Sequence, residues 1–204
     1  MDSATFKIAA RVERLKPGTT VTPKDFLDLA NRGLVDVMLT QLSSRGMLRR
    51  VSRGLYQRPK FSRLLKEEVA PDLHEVARTL ARRFGWQIVP SEDLAANALG
   101  LSTQVPAHVT YLSTGPSRAF EIEGQRLCFK HAGPKYLCSQ DPKCALVIQA
   151  IRGLGRTAAT QTEALETLRA QLSRRESMRL VEDARQSSAW IYDISKLLAG
   201  DGVK

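Results

Sequence analysis

Apolar residues recur at helical spacing three times in the first 45 positions. Ile8, Val12 and Leu15 form the first stripe. Asp2 or Ser3 can cap that helix by accepting from the N–H groups of its first turn, and Pro17-Gly18 ends it. Thr19–Val21 reads as extended. Thr22-Pro23 opens a second helix, because proline at the first helical position gives up an N–H that has no intrahelical partner. Phe26, Leu27 and Ala30 form its apolar face. After the turn Asn31-Arg32-Gly33, a third helix runs from Leu34 to Arg45 with Val35, Leu39 and Leu42 on one side. Gly46 follows as its terminating residue. Met47–Val51 and Leu55–Gln57 read as two strands around Ser52-Arg53-Gly54, whose glycine can take a positive φ. Pro59 closes the unit. The order of helix, helix, turn, helix and hairpin within residues 1–60 predicts a winged helix-turn-helix.

The pattern changes after residue 60. Residues 61–84 read as a linker that passes into a helix at Pro71-Asp72, with Leu73, Val76, Ala77 and Leu80 as its stripe. Trp86–Val89 is a short buried strand. Ser91 caps a helix reaching Leu99, and Gly100 ends it. Val109–Leu112, Ala119–Ile122 and Gln125–Lys130 alternate as strands do, and Glu123-Gly124 joins the last two as a hairpin. From Pro142 the chain is helical. Leu146, Ile148 and Ile151 lead to Gly153–Gly155, and further helices cover Thr162–Leu172, Glu176–Arg185 and Ser188–Leu198. The expected fold class is α+β. Residues 1–60 form the winged helix-turn-helix, and residues 61–204 an α+β domain with a small mixed sheet and a helical C-terminal tail.

Charge adds what periodicity does not show. The 204 residues carry 31 Lys/Arg and 21 Asp/Glu, a net charge of +10. Residues 1–60 hold 12 basic and 5 acidic residues, so +7 of the excess sits in under a third of the chain. Between Asp36 and Glu67 lie eight cations and no acid: Arg45, Arg49, Arg50, Arg53, Arg58, Lys60, Arg63 and Lys66. A solvated face usually mixes signs, so this block reads as a footprint for a polyanion. A purely solubilising surface is the blander alternative. No apolar run approaches the roughly 18 residues of a membrane helix, so no membrane partner is expected. Charges interrupt the N-terminal apolar pattern, which argues against a secretory signal. Three cysteines make no disulfide framework, and the expected compartment is the reducing cytoplasm.

The third helix and the hairpin carry the best candidate chemistry. With Val35, Leu39 and Leu42 inward, the opposite side shows Asp36, Val37, Thr40, Gln41, Ser44 and Arg45. A helix in a major groove needs short polar side chains that reach base edges. Glutamine can pair with adenine and arginine with guanine, and threonine can touch a thymine methyl. The DNA-binding candidates are therefore Thr40, Gln41, Ser44 and Arg45, joined by Arg49, Arg50 and Arg53 of the wing. Arg49 and Arg50 are neighbours on a strand and face opposite ways. Arg53 at the tip can hold a phosphate or enter a minor groove. The same module could instead serve protein contacts alone.

Other constellations give less. Cys128, His131, Cys138 and Cys144 are all possible zinc ligands, but no Cys-x-x-Cys pair occurs, and isolated cysteines more often fill core space. No metal or other cofactor is expected. No phosphate loop, nucleophile elbow or His-Glu-x-x-His motif is present, so no enzymatic activity is expected. Asn97 and Gln104 read as loop ties rather than ligand-binding groups, and Trp190 and Tyr192 as packing residues of the last helix. His74 reads as a solvated helix residue and His108 as a loop residue.

The run Gln41-Leu42-Ser43-Ser44-Arg45-Gly46-Met47-Leu48-Arg49-Arg50-Val51-Ser52-Arg53-Gly54-Leu55-Tyr56 resembles the N-terminal domain of abortive-infection E-type antitoxins. Trp86-Gln87-Ile88-Val89-Pro90-Ser91 and the stretch from Ala95 to Ala107 are similar to a related bacterial family of uncharacterised proteins that starts with the same winged helix. Together the two resemblances cover about residues 5–155. They imply the antitoxin half of a two-gene toxin–antitoxin module. Such an antitoxin opposes a nucleotidyltransferase-like toxin without a stable complex, and its winged helix represses the shared promoter at inverted repeats in double-stranded operator DNA. Thr40, Gln41 and Arg45 would then lie in or near the major groove, with Arg49, Arg50 and Arg53 on the wing. The chain departs from that family at Asp36-Val37, where members often carry a basic or large polar residue. This shifts the expected weight of binding to the wing. The alternatives are a winged-helix transcription factor whose second domain binds a ligand or dimerises, and an enzyme with an unrecognised site.

Overall fold

A computed structural model of the chain describes residues 3–64 and 66–200. It is an α+β protein that divides into two compact units. The first comprises Met1–Gly85 with Glu121–Arg126, and the second Trp86–Phe120 with Leu127–Lys204.

In the first unit, α1 (Ser3–Glu13) buries Ile8 and Val12 completely. Asp2, a candidate cap of this helix, lies outside the described residues. The expected second helix is reduced to a single 3₁₀ turn, Pro23–Phe26. Asp25 explains the tight local fold, since its carboxylate accepts from the Thr22 N–H at 2.7 Å and closes the turn on itself. α2 (Arg32–Ser44) is the longest helix of the unit, and it buries Val35, Leu39 and Leu42 as the spacing predicts. These side chains meet Ile8, Val12, Val21, Phe26, Leu48 and Tyr56 in one core.

Three short strands complete this core: β1 (Thr20–Val21), β2 (Arg49–Ser52) and β3 (Leu55–Gln57) form an antiparallel sheet in the order β1-β3-β2. Tyr56 pairs with Val21 on one side and Arg50 on the other. The expected linker contains a further hairpin, β4 (Phe61–Ser62) and β5 (Glu67–Glu68). α3 (Leu73–Phe84) follows, capped by Asp72, with Leu73, Val76, Ala77 and Leu80 buried as the stripe predicts.

The first unit extends past the expected boundary at residue 60, and polar bonds explain why α3 belongs to it. The hydroxyls of Thr20 and Thr79 lie 2.7 Å apart, both buried. Arg82 pairs with Asp25 at 3.0 Å. A buried hydroxyl needs a partner, so Thr20 and Thr79 tie β1 to α3.

The second unit is built on a four-stranded mixed sheet in the order β6-β7-β9-β8: β6 (Ile88–Pro90), β7 (Val109–Ser113), β8 (Arg118–Ile122) and β9 (Gln125–His131). β6 runs antiparallel to β7, and β7 parallel to β9. Glu123 and Gly124 both take positive φ, at 50° and 79°, which turns β8 tightly into β9. Phe129 centres an aromatic cluster with Trp86, Tyr111 and Phe120.

The helices are α4 (Glu92–Ala98), α5 (Pro142–Ala159), α6 (Thr162–Ala170), α7 (Arg174–Ala184) and α8 (Ala189–Ala199). Gly155 breaks α5 with φ 76° and ψ 167°. Two residues earlier, Gly153 has no side chain to separate α5 from α4: a Cβ there would stand 3.0 Å from the Glu92 Cβ. Cys144, Val147, Ile148 and Ile151 of α5 share a core with Leu168, Leu180, Ile191, Ile194 and Leu198. Among the described residues no helix is long and apolar enough to cross a membrane.

Candidate nucleic-acid interface

α2 starts at a firm cap: the Asn31 side chain accepts from the Leu34 N–H at 3.0 Å. With three apolar residues inward, the helix turns Val37, Thr40, Gln41, Ser44 and Arg45 outward, all exposed. Asp36 is bound by Arg32 one turn earlier at 2.8 Å. That pairing compensates the Asp36 charge locally, and it places Arg32 inside the helix rather than in the expected turn. The Thr40 hydroxyl donates to the Asp36 carbonyl and the Ser44 hydroxyl to the Gln41 carbonyl, each at 2.8 Å. Both hydroxyls have spent their hydrogen on the helix and present lone pairs outward, suited to accept from a base amino group. The Gln41 amide makes no hydrogen bond among the described residues, so its donor and acceptor are both open.

At the end of α2, Gly46 takes φ 73°, and the Met47 and Leu48 N–H groups return to the Leu42 carbonyl at 3.0 and 3.2 Å. This sharp stop feeds the chain straight into β2. The β2–β3 register breaks between Arg50 and Ser52, and Gly54 takes φ 70°. Arg83 of α3 donates to the Arg53 and Gly54 carbonyls at 3.1 and 3.4 Å, so a helix 30 residues away braces the tip.

The two adjacent arginines divide as strand alternation requires. Arg50 is exposed, whereas the Arg49 guanidinium is drawn inward. It donates to Gln57 Oε1 at 2.8 Å and the Val69 carbonyl at 3.2 Å, and it pairs with Glu68 at 3.5 Å. Gln57, itself buried, donates to the Gly18 carbonyl at 3.3 Å. Arg49 therefore departs from its expected place on a DNA-facing wing and ties strands together. Arg58 is likewise spent on the Met47 carbonyl at 3.1 Å. The other six cations of the acid-free run, Arg45, Arg50, Arg53, Lys60, Arg63 and Lys66, are exposed, and their side chains make no hydrogen bond or ion pair among the described residues.

The second unit uses its polar groups mostly internally. Asn97 donates to the Ser102 and Gln104 carbonyls at 3.3 and 3.0 Å, tying the loop as expected, while the Gln104 side chain is not part of that tie. Trp190 and Tyr192 pack against the helical core. His74 is half-buried, and the exposed His108 lies in a loop. Cys144 is buried, its thiol pushed up to about 12 chiefly by desolvation, and it donates to the Glu176 carbonyl at 3.5 Å. Burial also raises the Cys138 thiol. His131 Nδ1 lies 3.1 Å from the Gly115 carbonyl. Among the described residues no three His, Cys, Asp or Glu side chains converge as a metal site. A cavity of about 590 Å³ lies between α4, the 101–107 loop and Gly153-Leu154, with Glu92 and Asp93 at its wall.

The fold and this surface define an α+β protein whose first unit presents a polar helix face and an uncompensated run of cations. The chain belongs to a family of unknown function, DUF6088, whose match spans residues 7–180. A comparison with curated proteins returned no match.

Proposed function

We propose that the first unit is a winged helix-turn-helix that binds double-stranded DNA, with α2 as the recognition helix and the β2–β3 hairpin as the wing. The observation that carries this reading is a set of six exposed cations, unpaired among the described residues, that starts with Arg45 at the end of a helix with an outward Thr40, Gln41 and Ser44. Counterion release by such cations supplies non-specific affinity, and the helix face supplies base contacts. Arg32 neutralises Asp36, so α2 keeps a share of the contact that the Asp36-Val37 departure had moved to the wing.

The biological role rests on the resemblance to abortive-infection E-type antitoxins. In that role the chain is a non-enzymatic, cytoplasmic regulator that represses its own operon and opposes a nucleotidyltransferase-like toxin without a stable complex. Footprinting of the full chain on the DNA upstream of its own gene tests the first part. A protected inverted repeat is expected, and no protection at low salt would overturn it. Co-expression with the product of an adjacent nucleotidyltransferase-like gene tests the second: restored growth is expected, and continued toxicity would leave a DNA-binding regulator of another kind.

A further inference from the structure

The β4–β5 hairpin carries two of the six exposed cations, Arg63 and Lys66, and its composition is unusual for a solvated loop. Its ladder is two residue pairs long, Phe61 with Glu68 and Ser62 with Glu67. A hairpin of this size is marginal on its own. Arg49 of β2 holds it from outside by reaching Glu68 and the Val69 carbonyl, and the Val69 N–H extends the ladder by donating to the Lys60 carbonyl at 2.7 Å. The residue that leaves the wing surface is thus the one that fixes this second hairpin to β2.

What the hairpin displays is apolar and cationic together. Leu64 is 90% exposed and Phe61 61%, the former more than any other large hydrophobic residue described. Arg63 and Lys66 flank Leu64, both exposed and unpaired among the described residues. Lys66 stands at φ 56°, a conformation that favours glycine, so a cationic side chain occupies a place where backbone geometry alone would select none. Cations around an exposed leucine fit a polyanion with an apolar step to enter. In duplex DNA that step is the stack between base pairs at the minor groove, where leucine and phenylalanine act as wedges. An anionic membrane surface offers a similar mixture. The Arg49 bracket favours DNA, because it joins the hairpin to the strand that carries Arg50 and leads to Arg53.

We propose that the β4–β5 hairpin is a second duplex-contacting arm, with Arg63 and Lys66 on phosphates and Leu64 wedged at the minor groove. This rests on the DNA-binding reading of the first unit. The test uses the full chain, an end-labelled random-sequence duplex reporting affinity and bending, and phosphatidylserine vesicles. The double variant Arg63→Ala/Lys66→Ala is expected to lower the log–log salt slope by about 1.8, at about 0.9 per lost phosphate contact. Leu64→Ala is expected to leave the slope unchanged, abolish bending and weaken binding on the order of tenfold. Because these side chains are exposed, all variants should melt with the parent, and a lowered melting temperature would contradict their placement. If the parent chain fails to bind the duplex, the DNA reading falls and this inference with it. If the parent binds and the variants match it in slope, bending and affinity, the inference alone is overturned. Vesicle binding that Leu64→Ala removes, with duplex binding intact, would make the hairpin a membrane contact and overturn it as well.

Discussion

A guanidinium on a short strand is either a tether or free for contact: Arg49 is a tether, and the exposed Arg50 is the one proposed to touch DNA. Removing Arg49 leaves the buried Gln57 Oε1 and the Val69 carbonyl without their donor. Arg49→Ala should therefore cost about 1–3 kcal/mol of stability in a urea titration. Arg50→Ala and Arg53→Ala should change stability by less than about 0.5 kcal/mol. Each should instead lower the salt slope of DNA binding by about 0.9. Equal stability losses at positions 49 and 50 would contradict the division. Gln41→Ala should cost about 1–3 kcal/mol at one base position and little on random DNA. Strand alternation in the sequence showed that the two arginines part. It did not show which turns inward, because the partners that decide this lie in and next to an unrecognised hairpin, at Glu68 and Val69, and far along the chain at Glu123, 3.4 Å from Arg49. Asp141 is a different kind of residue effect. It caps α5, and the N–H groups of Cys144 and Lys143 hold its carboxyl below the ordinary range. A depressed folded value means that this stability is present above about pH 4 and is lost as pH falls through the folded value. Asp141→Ala should cost about 1 kcal/mol at neutral pH. The gap from the parent should shrink in acid, and a gap that holds at low pH would exclude the ionised cap as its source.

At the scale of elements, glycines mark where backbone and side chain come closest. Gly115 follows β7 and lies against the Trp86 indole, so that a Cβ there would fall 2.2 Å from Trp86 Cε2. The indole packs edge-on against Phe129, so it can make way only by disturbing that contact. Gly115→Ala should destabilise the protein by about 1–3 kcal/mol, measured by denaturant titration with tryptophan fluorescence. Gly133→Ala is the matched control, with nothing within 4 Å of its Cβ, and should fall within about 0.5 kcal/mol of the parent. Equal effects at both glycines would argue against the Trp86 contact. The long elements were legible because burial repeats along them: α2, α3 and the last four helices follow stripes that the sequence displays. Strands of two residues have no period to detect, so β4 and β5 read as linker. Phe26, Leu27 and Ala30 looked like a helix face, yet the local bond between Asp25 and Thr22 closed a 3₁₀ turn instead. Apolar spacing alone does not separate one turn from three.

For the whole molecule, the question is how much chain the cationic surface needs in order to fold. The order of elements suggested residues 1–60, but that fragment would lack Thr79, the partner of the buried Thr20 hydroxyl, and Arg82, the partner of Asp25. It would also lose the brace that Arg83 places on the turn between β2 and β3. A chain of residues 1–85 retains all three. It lacks Glu121–Arg126, which joins this unit from later in the sequence with two acids and one base, including Glu123 3.4 Å from Arg49, so the first unit itself loses no net positive charge. Residues 1–85 should therefore unfold cooperatively in urea, as small single domains usually do, and bind duplex DNA with a salt slope close to that of the full chain. Residues 1–60 should give a broad transition and a shallower slope, since Arg63 and Lys66 are absent and the tip carrying Arg53 is unbraced. Identical unfolding midpoints for the two fragments would mean that α3 adds nothing to the first unit. Identical slopes would mean that the contacting charge ends by Lys60 and that Arg63 and Lys66 add nothing to it.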